Sequence, residues 1–393
     1  MEEHKKCCCE AGCFVITSNG TVIAGSNSGK GLLYSKDKGK IWQESNINIG
    51  HFTCLTVIGN TVIAGSNYNV GLYYSEDNGK TWNQSNITYG LFKCLTIINN
   101  TIIAGSYSNE GLFYSENNGK TWNQSDIIFG YFRCLTVIGD IVIAGSYYSN
   151  GLLYSKDNGK TWKQSNVRSG DFSCLTTIGN TVIAGSDDNK GLLYSEDKGK
   201  KWKQSNVRSG DFSCLTTIGN IVIVGSYSNM GLYYSEDKGK TWKQSNVEYS
   251  YFDCLTIIGS TFIAGSGYDK GLYYSEDCGK TWNNSNITDG CFSCLIVVDN
   301  IVITSGSYNS GKGLFYSEDC GKTWYHSLYD GSNKVYNQSK SEIKSSNDIC
   351  ENTNFQENKY ISQESLFDKI DNLYKMCNDI NEKLDEIKKS IGI

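Results

Sequence analysis

Apolar and polar residues alternate in short runs along most of the chain, and the order of the runs is constant. In residues 54–84 the order is CLTVI, the turn pair GN, TVIAGS, the loop NYNV, GLYYS, the turn EDNG and finally KTWNQ. Short apolar runs separated by Gly, Asn and Asp are typical of β-strands joined by turns. An amphipathic helix needs roughly ten or more residues with apolar positions at 3.6 spacing, and this unit has no such segment. The pattern therefore predicts four short strands per unit.

The unit recurs eight times, and one tryptophan marks each copy. The spacing between tryptophans is 40 residues six times and 42 once, because two residues are inserted within residues 306–313. The tryptophans are Trp42, Trp82, Trp122, Trp162, Trp202, Trp242, Trp282 and Trp324. Four strands in about 40 residues form one blade of a β-propeller. The sequence therefore predicts an all-β fold, an eight-bladed β-propeller of four-stranded antiparallel blades, over residues 13–328.

The repeats allow more than one way of closing the ring. Both terminal units contain the whole four-strand pattern, so we expect no strand to be shared between them. Blade one then packs directly on blade eight, or residues 1–12 add an edge strand. A seven-bladed ring with one displaced unit is the alternative.

A short motif ends each third strand. Residues 75–82 read S-x-D-x-G-x-T-W, and the motif occurs eight times, with Ile41 and Lys201 in place of Thr and Asn117 in place of Asp. It resembles the Asp-box, or BNR, motif of sialidase-like β-propellers. The resemblance implies that the box lies at the outer edge of the ring, away from ligand sites, so we expect its residues to be structural and not catalytic. The structural set is the eight tryptophans with Asp37, Asp77, Asp157, Asp197, Asp237, Asp277 and Asp319.

The chemistry of the box explains its residue types. A hairpin turn needs a residue that tolerates positive φ, and Gly79 supplies one. A short Asp side chain accepts backbone N–H bonds across the turn. We expect the tryptophan to insert between blades, where burial of ~200 Å² at ~25 cal/mol per Å² contributes several kcal/mol.

Composition excludes several classes of protein. The net charge is −5 and the pI about 5.4, whereas nucleic acids and anionic membranes select basic surfaces. No apolar run reaches the length of a membrane span, and the first residues lack the apolar segment of a signal peptide. We therefore expect an intracellular, cytoplasmic protein without a membrane span.

Cysteine is abundant, with 16 residues, and seven of them recur at a spacing of 40. These are Cys54, Cys94, Cys134, Cys174, Cys214, Cys254 and Cys294. Equivalent positions in packed blades are too far apart for disulfides, so we expect buried, reduced thiols. Lipidation and metal capture are alternatives for the Cys7–Cys9 cluster, but no paired CxxC or His spacing supports a zinc site. The sequence predicts no cofactor and no metal.

The pattern changes after the last repeat. Residues 1–12 form a Cys-rich tail at the other end, while residues 329–361 are rich in Asn, Ser and Lys and read as a flexible linker. In residues 362–392 apolar positions follow in steps of 4 and 3, which predicts a coiled-coil helix. We expect this helix to make the protein a homo-oligomer; packing of the helix back on the propeller is the alternative.

Sialidase chemistry is poorly represented in the chain. Those enzymes hold the substrate carboxylate with three arginines and have an Arg-Ile-Pro motif near the start. This sequence has no proline, and its only arginines are Arg133, Arg168 and Arg208. Another glycoside hydrolase would need paired carboxylates, for which Asp171, Asp211 and Asp253, each expected to precede the first strand of a blade, are the candidates.

Differences between repeats gather in two loops, one between the second and third strands and one before the next first strand. In a four-stranded blade both loops emerge on one face, opposite the Asp-box turn. Tyrosine with Asn and Ser suits recognition, so we expect a non-enzymatic binding or scaffold protein with a protein or glycan partner. The alternatives are a glycoside hydrolase, a structural component of a particle, and neutral loop drift. The candidate partner-binding residues are Tyr68, Tyr89, Tyr107, Tyr131, Tyr147, Arg168, Asp171, Arg208, Asp211, Tyr227, Tyr251 and Tyr268.

Substitution Trp162→Ala tests the expected position of the tryptophan. Removing a large side chain packed between two blades leaves a cavity and lowers the free energy of unfolding by about 3–5 kcal/mol. Thermal or denaturant unfolding measures this loss. An unchanged melting temperature would place the indole outside the core.

Overall fold

The computed structural model describes residues 11–26, 28–67, 69–148, 150–268, 270–308 and 311–329, and all regular structure among them is β-strand. The predicted tail up to residue 10, the linker beyond residue 329 and the coiled-coil helix at 362–392 lie outside the described residues. Within the described part of the chain, no helix has the length and apolarity that a bilayer crossing requires.

The strands form eight sheets, and in each sheet four strands follow one another in chain order with antiparallel pairing. The first strands are Ala11–Ile16, Phe52–Ile58, Phe92–Ile98, Tyr131–Ile138, Phe172–Ile178, Phe212–Ile218, Phe252–Ile258 and Cys291–Val298. The second strands are Val22–Ser26, Thr61–Ser66, Thr101–Ser106, Ile141–Tyr147, Thr181–Ser186, Ile221–Ser226, Thr261–Ser266 and Ile301–Tyr308. The third strands are Leu32–Ser35, Leu72–Ser75, Leu112–Ser115, Leu152–Ser155, Leu192–Ser195, Leu232–Ser235, Leu272–Ser275 and Gly311–Ser317. The fourth strands are Ile41–Glu44, Asn83–Gln84, Asn123–Gln124, Lys163–Gln164, Lys203–Gln204, Lys243–Gln244, Asn283–Asn284 and Tyr325–His326. The eight-bladed all-β propeller of four-stranded antiparallel blades is thus confirmed, and the seven-bladed alternative is wrong.

The first strand of each blade is the innermost, because first strands of neighbouring blades contact one another around the ring. Cysteines on these strands link the blades: the Cys54 thiol donates to the carbonyl of Phe92 at 3.3 Å, and Cys174 donates to Phe212 at 3.3 Å. Six of the seven cysteines at 40-residue spacing are buried, and Cys294 is partly buried. Burial raises the pKa of the Cys54 thiol to about 12.

The Asp-box turn has the predicted hydrogen bonds. In blade 4 the Asp157 carboxylate accepts the Thr161 N–H at 2.9 Å, the Thr161 hydroxyl at 2.6 Å and the Ser155 hydroxyl at 2.8 Å. Ser155 Oγ in turn accepts the Gly159 N–H at 2.9 Å. One feature was not foreseen: both Asn158, at φ 58°, and Gly159, at φ 81°, are left-handed. The residue before the glycine is left-handed in every box, even where it is Lys38, Lys198, Lys238, Cys278 or Cys320.

Each tryptophan lies between two blades. Trp82 belongs to blade 2, is 3% exposed, and packs with Ile23 and Leu32 of blade 1. Its indole N–H donates to the Gly79 carbonyl at 2.9 Å, so the buried polar atom has a partner. Gly79 also touches blade 1, because a Cβ there would lie 2.6 Å from Ile23 Cδ1.

Asparagine side chains clasp the tryptophan backbone of the next blade. Asn46 Oδ1 accepts the Trp82 N–H at 2.8 Å, and Asn46 Nδ2 donates to the Trp82 carbonyl at 3.1 Å. At six further junctions the Trp N–H donates to an equivalent side chain of the preceding blade. These acceptors are Asn86, Asp126, Asn166, Asn206, Asn246 and Asn286. The recurring Asn was visible in the sequence, but its partner lies 36 residues away in most junctions.

The eighth junction is closed by the backbone. Blade 8 packs directly on blade 1, with Ile303 and Leu314 against Trp42. A short closing strand, Leu328–Tyr329, then pairs in parallel with Ile41–Trp42, and the Leu328 N–H donates to the Lys40 carbonyl at 2.7 Å. Leu328 follows Ser327 as Asn46 follows Ser45, and the Asn46 N–H likewise donates to the Lys80 carbonyl at 3.3 Å, so the eighth junction keeps this main-chain bond without the Asn side chain. The extra edge strand of blade 1 is therefore Leu328–Tyr329, which follows the last repeat in the chain. Ala11–Ile16 is the first strand of blade 1 itself.

Substitution Leu328→Pro tests this closure. Proline removes the N–H that bonds Lys40, and we expect a loss of about 1–3 kcal/mol in the free energy of unfolding. Leu328→Ala is the matched control, because it keeps the N–H and removes a side chain that is 59% exposed. Equal denaturant midpoints for the two variants would show that the closing strand does not stabilise the ring.

Substitution Asp157→Asn tests the box electrostatics. Partial burial opposes the shift, but hydrogen bonds from Thr161 and Ser155 hold the pKa of Asp157 below its ordinary value. A lowered folded-state pKa stabilises the protein above the unfolded pKa of about 3.9, and this contribution is lost as pH falls through the folded-state pKa. The melting-temperature difference between wild type and Asp157→Asn should therefore be larger at pH 7 than at pH 3.

Blade 3 supplies the converse control. Asn117 already occupies the box position and accepts the Thr121 N–H at 2.9 Å. Asn117→Asp should raise the melting temperature at pH 7 and have less effect at pH 3. A pH-independent difference in both variants would contradict a charge contribution.

Candidate partner-binding face

The two variable loops of each repeat lie on one face of the ring. The Asp box joins the third strand to the fourth. Because the second and third strands are antiparallel neighbours, the loop that joins them lies at the opposite end of the third strand from the box. This loop is hydrogen-bonded to the segment before the first strand of the same blade. The Tyr107 N–H donates to the Leu91 carbonyl at 2.7 Å, and the Tyr227 N–H donates to the main-chain carbonyl of Asp211 at 2.8 Å. We call this surface the loop face.

Four tyrosines of blades 3 and 4 form one contiguous group on the loop face. The ring centroids of Tyr107 and Tyr131 are 6.0 Å apart, those of Tyr107 and Tyr147 5.7 Å, and those of Tyr131 and Tyr148 5.4 Å. Tyr148 was not predicted; its ring is 66% exposed and its backbone is left-handed, with φ 78°. We call Tyr107, Tyr131, Tyr147 and Tyr148 the tyrosine cluster.

An ion pair between neighbouring blades contacts the tyrosine cluster through Tyr147. Arg133, on the first strand of blade 4, pairs with Asp187 of blade 5, and the two side chains are 35% and 17% exposed. The Arg133 guanidinium also lies 5.3 Å from the centroid of the Tyr147 ring. Burial raises the pKa of Tyr147 to about 12, and it raises the pKa of Asp187 although Arg133 opposes that shift.

The predicted aspartates hold the loops in place. Asp171 Oδ1 accepts the N–H of Tyr148 at 2.6 Å, and Asp211 Oδ1 accepts the N–H of Asn189 at 2.7 Å. Asp253 lies within a first strand, Phe252–Ile258, and not ahead of it as expected. Asp171 thus fixes the backbone of Tyr148 in the tyrosine cluster, and Asp211 fixes the loop of blade 5 that contains Asp187.

The remaining candidate tyrosines are divided. Tyr251 lies between Tyr227 and Tyr268, with ring centroids at 6.3 and 5.7 Å, and these three form a second group. Tyr89 is 57% exposed and lies outside both groups. Tyr68 lies outside the described residues.

The two candidate arginines share a groove whose lining includes no tyrosine. Arg168 and Arg208 line an open groove of ≈ 410 Å³ between blades 4 and 5, together with Asn189, Lys190 and Gln204. Their positions correspond in neighbouring repeats, so they flank one groove and do not converge with Arg133.

The loop face therefore presents aromatic rings, hydroxyl groups and carboxylates that accept hydrogen bonds from loop N–H groups. In the part of the chain that the structure describes, no group of three or more His, Cys, Asp or Glu side chains is arranged to hold a metal ion. The Asp-box residues lie at the other end of the blades.

A scan against protein-family models matches the BNR/Asp-box repeat at residues 73–84 and 153–164. These segments are the hairpins with the turn described above. The chain thus contains BNR/Asp-box repeats and folds as an eight-bladed β-propeller. No curated protein matches the propeller sequence.

Solved structures resemble this Asp-box propeller in fold. The computationally designed protein Ika8 has a TM-score of 0.64 at 13% identity, over 80% of this chain and 98% of its own. BamB from Moraxella catarrhalis has a TM-score of 0.52 at 15% identity, over 74% and 92%. The GH74 xyloglucanase from Xanthomonas campestris has a TM-score of 0.47 at 13% identity, over 80% and 60%. At these identities the likeness concerns the fold alone.

Arg133, Tyr148 and Asp187 were missed because their roles depend on contacts between repeats. The Arg133–Asp187 pair joins residues 54 positions apart, which is not a multiple of the repeat. The one available signal was that Arg133 is an arginine in a chain with only three.

Proposed function

We propose that this Asp-box propeller is a non-enzymatic binding protein that recognises a protein or glycan partner through the tyrosine cluster of its loop face. The observation that carries the proposal is the contact of four tyrosine rings over the Arg133–Asp187 pair. Tyrosine buries a large apolar ring at low entropic cost while its hydroxyl forms hydrogen bonds. Rings in edge-to-face and tilted contact, among which Tyr148 is 66% exposed, suit either a peptide or the apolar face of a sugar.

Preorganisation supports this role. Asp171 fixes the Tyr148 backbone, and Arg133 packs against Tyr147, so the rings are held before a partner arrives. A surface ordered in advance loses less conformational entropy on binding. The loops are also where neighbouring blades differ, whereas the box and strands repeat almost unchanged.

The glycoside hydrolase alternative has less support from the loop face. Asp171 and Asp211 each accept a loop N–H, which explains these carboxylates without catalysis. Hydrolysis of fluorogenic glycosides that is lost in Asp171→Asn or Asp211→Asn would favour the enzyme.

Self-association belongs to the same proposal. The apolar steps of 4 and 3 in residues 362–392 are suited to a coiled coil, which would multiply the loop face and raise avidity for repeated partners.

The double substitution Tyr107→Ala/Tyr148→Ala tests the proposal. Full-length protein is immobilised and probed with neutral oligosaccharides and with cell lysate of the source organism, and bound species are quantified. We expect partners retained by wild type to bind at least about tenfold more weakly to the variant, since interfacial aromatic residues dominate binding energy.

Tyr325→Ala is the matched control. Tyr325 lies on the fourth strand of blade 8 and is 51% exposed. We expect this variant to retain the same partners as wild type. Equal retention by all three proteins would contradict a role for the tyrosine cluster.

A further inference from the structure

The groove between blades 4 and 5 concentrates positive charge in an acidic protein. Arg168 lies in the loop after blade 4, Lys190 in the loop between the second and third strands of blade 5, and Arg208 in the loop after blade 5. All three side chains line the groove. The chain has a net charge of −5, so this local excess is contrary to its overall charge.

The two arginines are available to a ligand. Lys190 is already paired, because its Nζ lies 2.6 Å from Asp188 Oδ2. Arg168 and Arg208 are exposed, and within the described residues neither has a hydrogen bond or an ion pair. The third arginine, Arg133, is by contrast engaged by Asp187.

Glutamine side chains brace both arginine loops. Gln164 Nε2 donates to the Val167 carbonyl at 2.9 Å, and Gln204 Nε2 donates to the Val207 carbonyl at 3.0 Å. Val167 and Val207 directly precede the arginines. The same two amides also bond the adjacent loop, at Asn150 and Lys190 respectively. The backbone that presents each guanidinium is therefore held on both sides.

Other junctions lack this charge. At the three corresponding positions, the junction of blades 5 and 6 has Arg208, Met230 and Glu248. The junction of blades 2 and 3 has Thr88, Glu110 and Ile128. The cationic groove is thus a property of one junction and not of the repeat.

We propose that this groove binds a carboxylate-bearing, acidic peptide segment. A guanidinium forms two parallel hydrogen bonds to a carboxylate, which makes arginine better suited than lysine to this recognition. The groove is open and polar, so it fits a segment lying along the surface better than a small molecule that must be enclosed. The amides of Asn166, Asn189 and Gln204 in the lining are bonded to backbone groups of the protein, so they hold the groove in shape and leave recognition to the two guanidiniums.

A peptide is favoured over a long polyanion for an electrostatic reason. Asp188 pairs with Lys190 beside the groove, and the protein as a whole is acidic. Only two free guanidiniums attract the ligand, so binding depends on short-range pairing. A nucleic acid or sulfated polymer would extend beyond the groove and meet the negative surface.

Fluorescence anisotropy with the full-length protein tests the groove. The probe is a fluorescein-labelled peptide of alternating glycine and glutamate, and the companion peptides replace glutamate with glutamine or phosphoserine. We expect the glutamate peptide to bind, the glutamine peptide to bind at least about tenfold more weakly, and Arg168→Gln/Arg208→Gln to lose at least about tenfold in affinity. Exclusive binding of the phosphoserine peptide would overturn the carboxylate assignment.

Lys156→Gln/Lys200→Gln is the matched control. It removes two positive charges from the same two blades, but from the Asp-box turns on the opposite face. We expect its affinity for the glutamate peptide to stay within about twofold of wild type. An equal loss in both double variants, or no binding by wild type, would overturn the proposal. Tyr107→Ala/Tyr148→Ala should bind the peptide normally, which separates this site from the tyrosine cluster.

Discussion

The ring depends on the insertion of one buried indole between each pair of blades. The indole is buried against the preceding blade and its N–H is bonded to the box glycine, and at seven of the eight junctions its backbone is clasped by an Asn or Asp from the blade before. Each blade alone would expose an apolar sheet face. Because the wedge and the clasp act on the same residue, neighbouring blades are fixed in both spacing and register.

This constraint divides the molecule into two faces with different freedom to vary. The Asp-box end must preserve left-handed turns, a carboxylate or amide acceptor and a glycine in contact with the preceding blade. The loop end has only to join strands, so its residues differ from blade to blade. Residues 162–180 and 202–220 are identical, yet the loop between the second and third strands of the following blade has Lys190 beside the first copy and Met230 at the corresponding position beside the second. Duplication of a loop can therefore create a surface that no single repeat contains.

Much of the fold could be predicted because the determinants are local or periodic. Turn residues, apolar runs and the 40-residue step of tryptophan gave the blade, the blade count and the buried thiols. The closing strand could not be predicted, since Leu328 acts through its backbone and its side chain shows no pattern. The loop face could be located, but Tyr148 and the Arg133–Asp187 pair depend on loop conformation and on contacts between blades. Arg168 and Arg208 were named as candidates, while the groove that they share could be seen only in the coordinates.

Backbone amide exchange tests the central claim that seven clasped junctions and the closing strand form one closed unit. The informative amides are the Trp N–H groups bonded to Asn or Asp, and the Leu328 N–H bonded to Lys40. The account predicts that all of them exchange slowly, with the same denaturant dependence as global unfolding. Fast exchange of Leu328 alone would show an open seam between blades 8 and 1, and unequal exchange among the Trp amides would show blades that open independently.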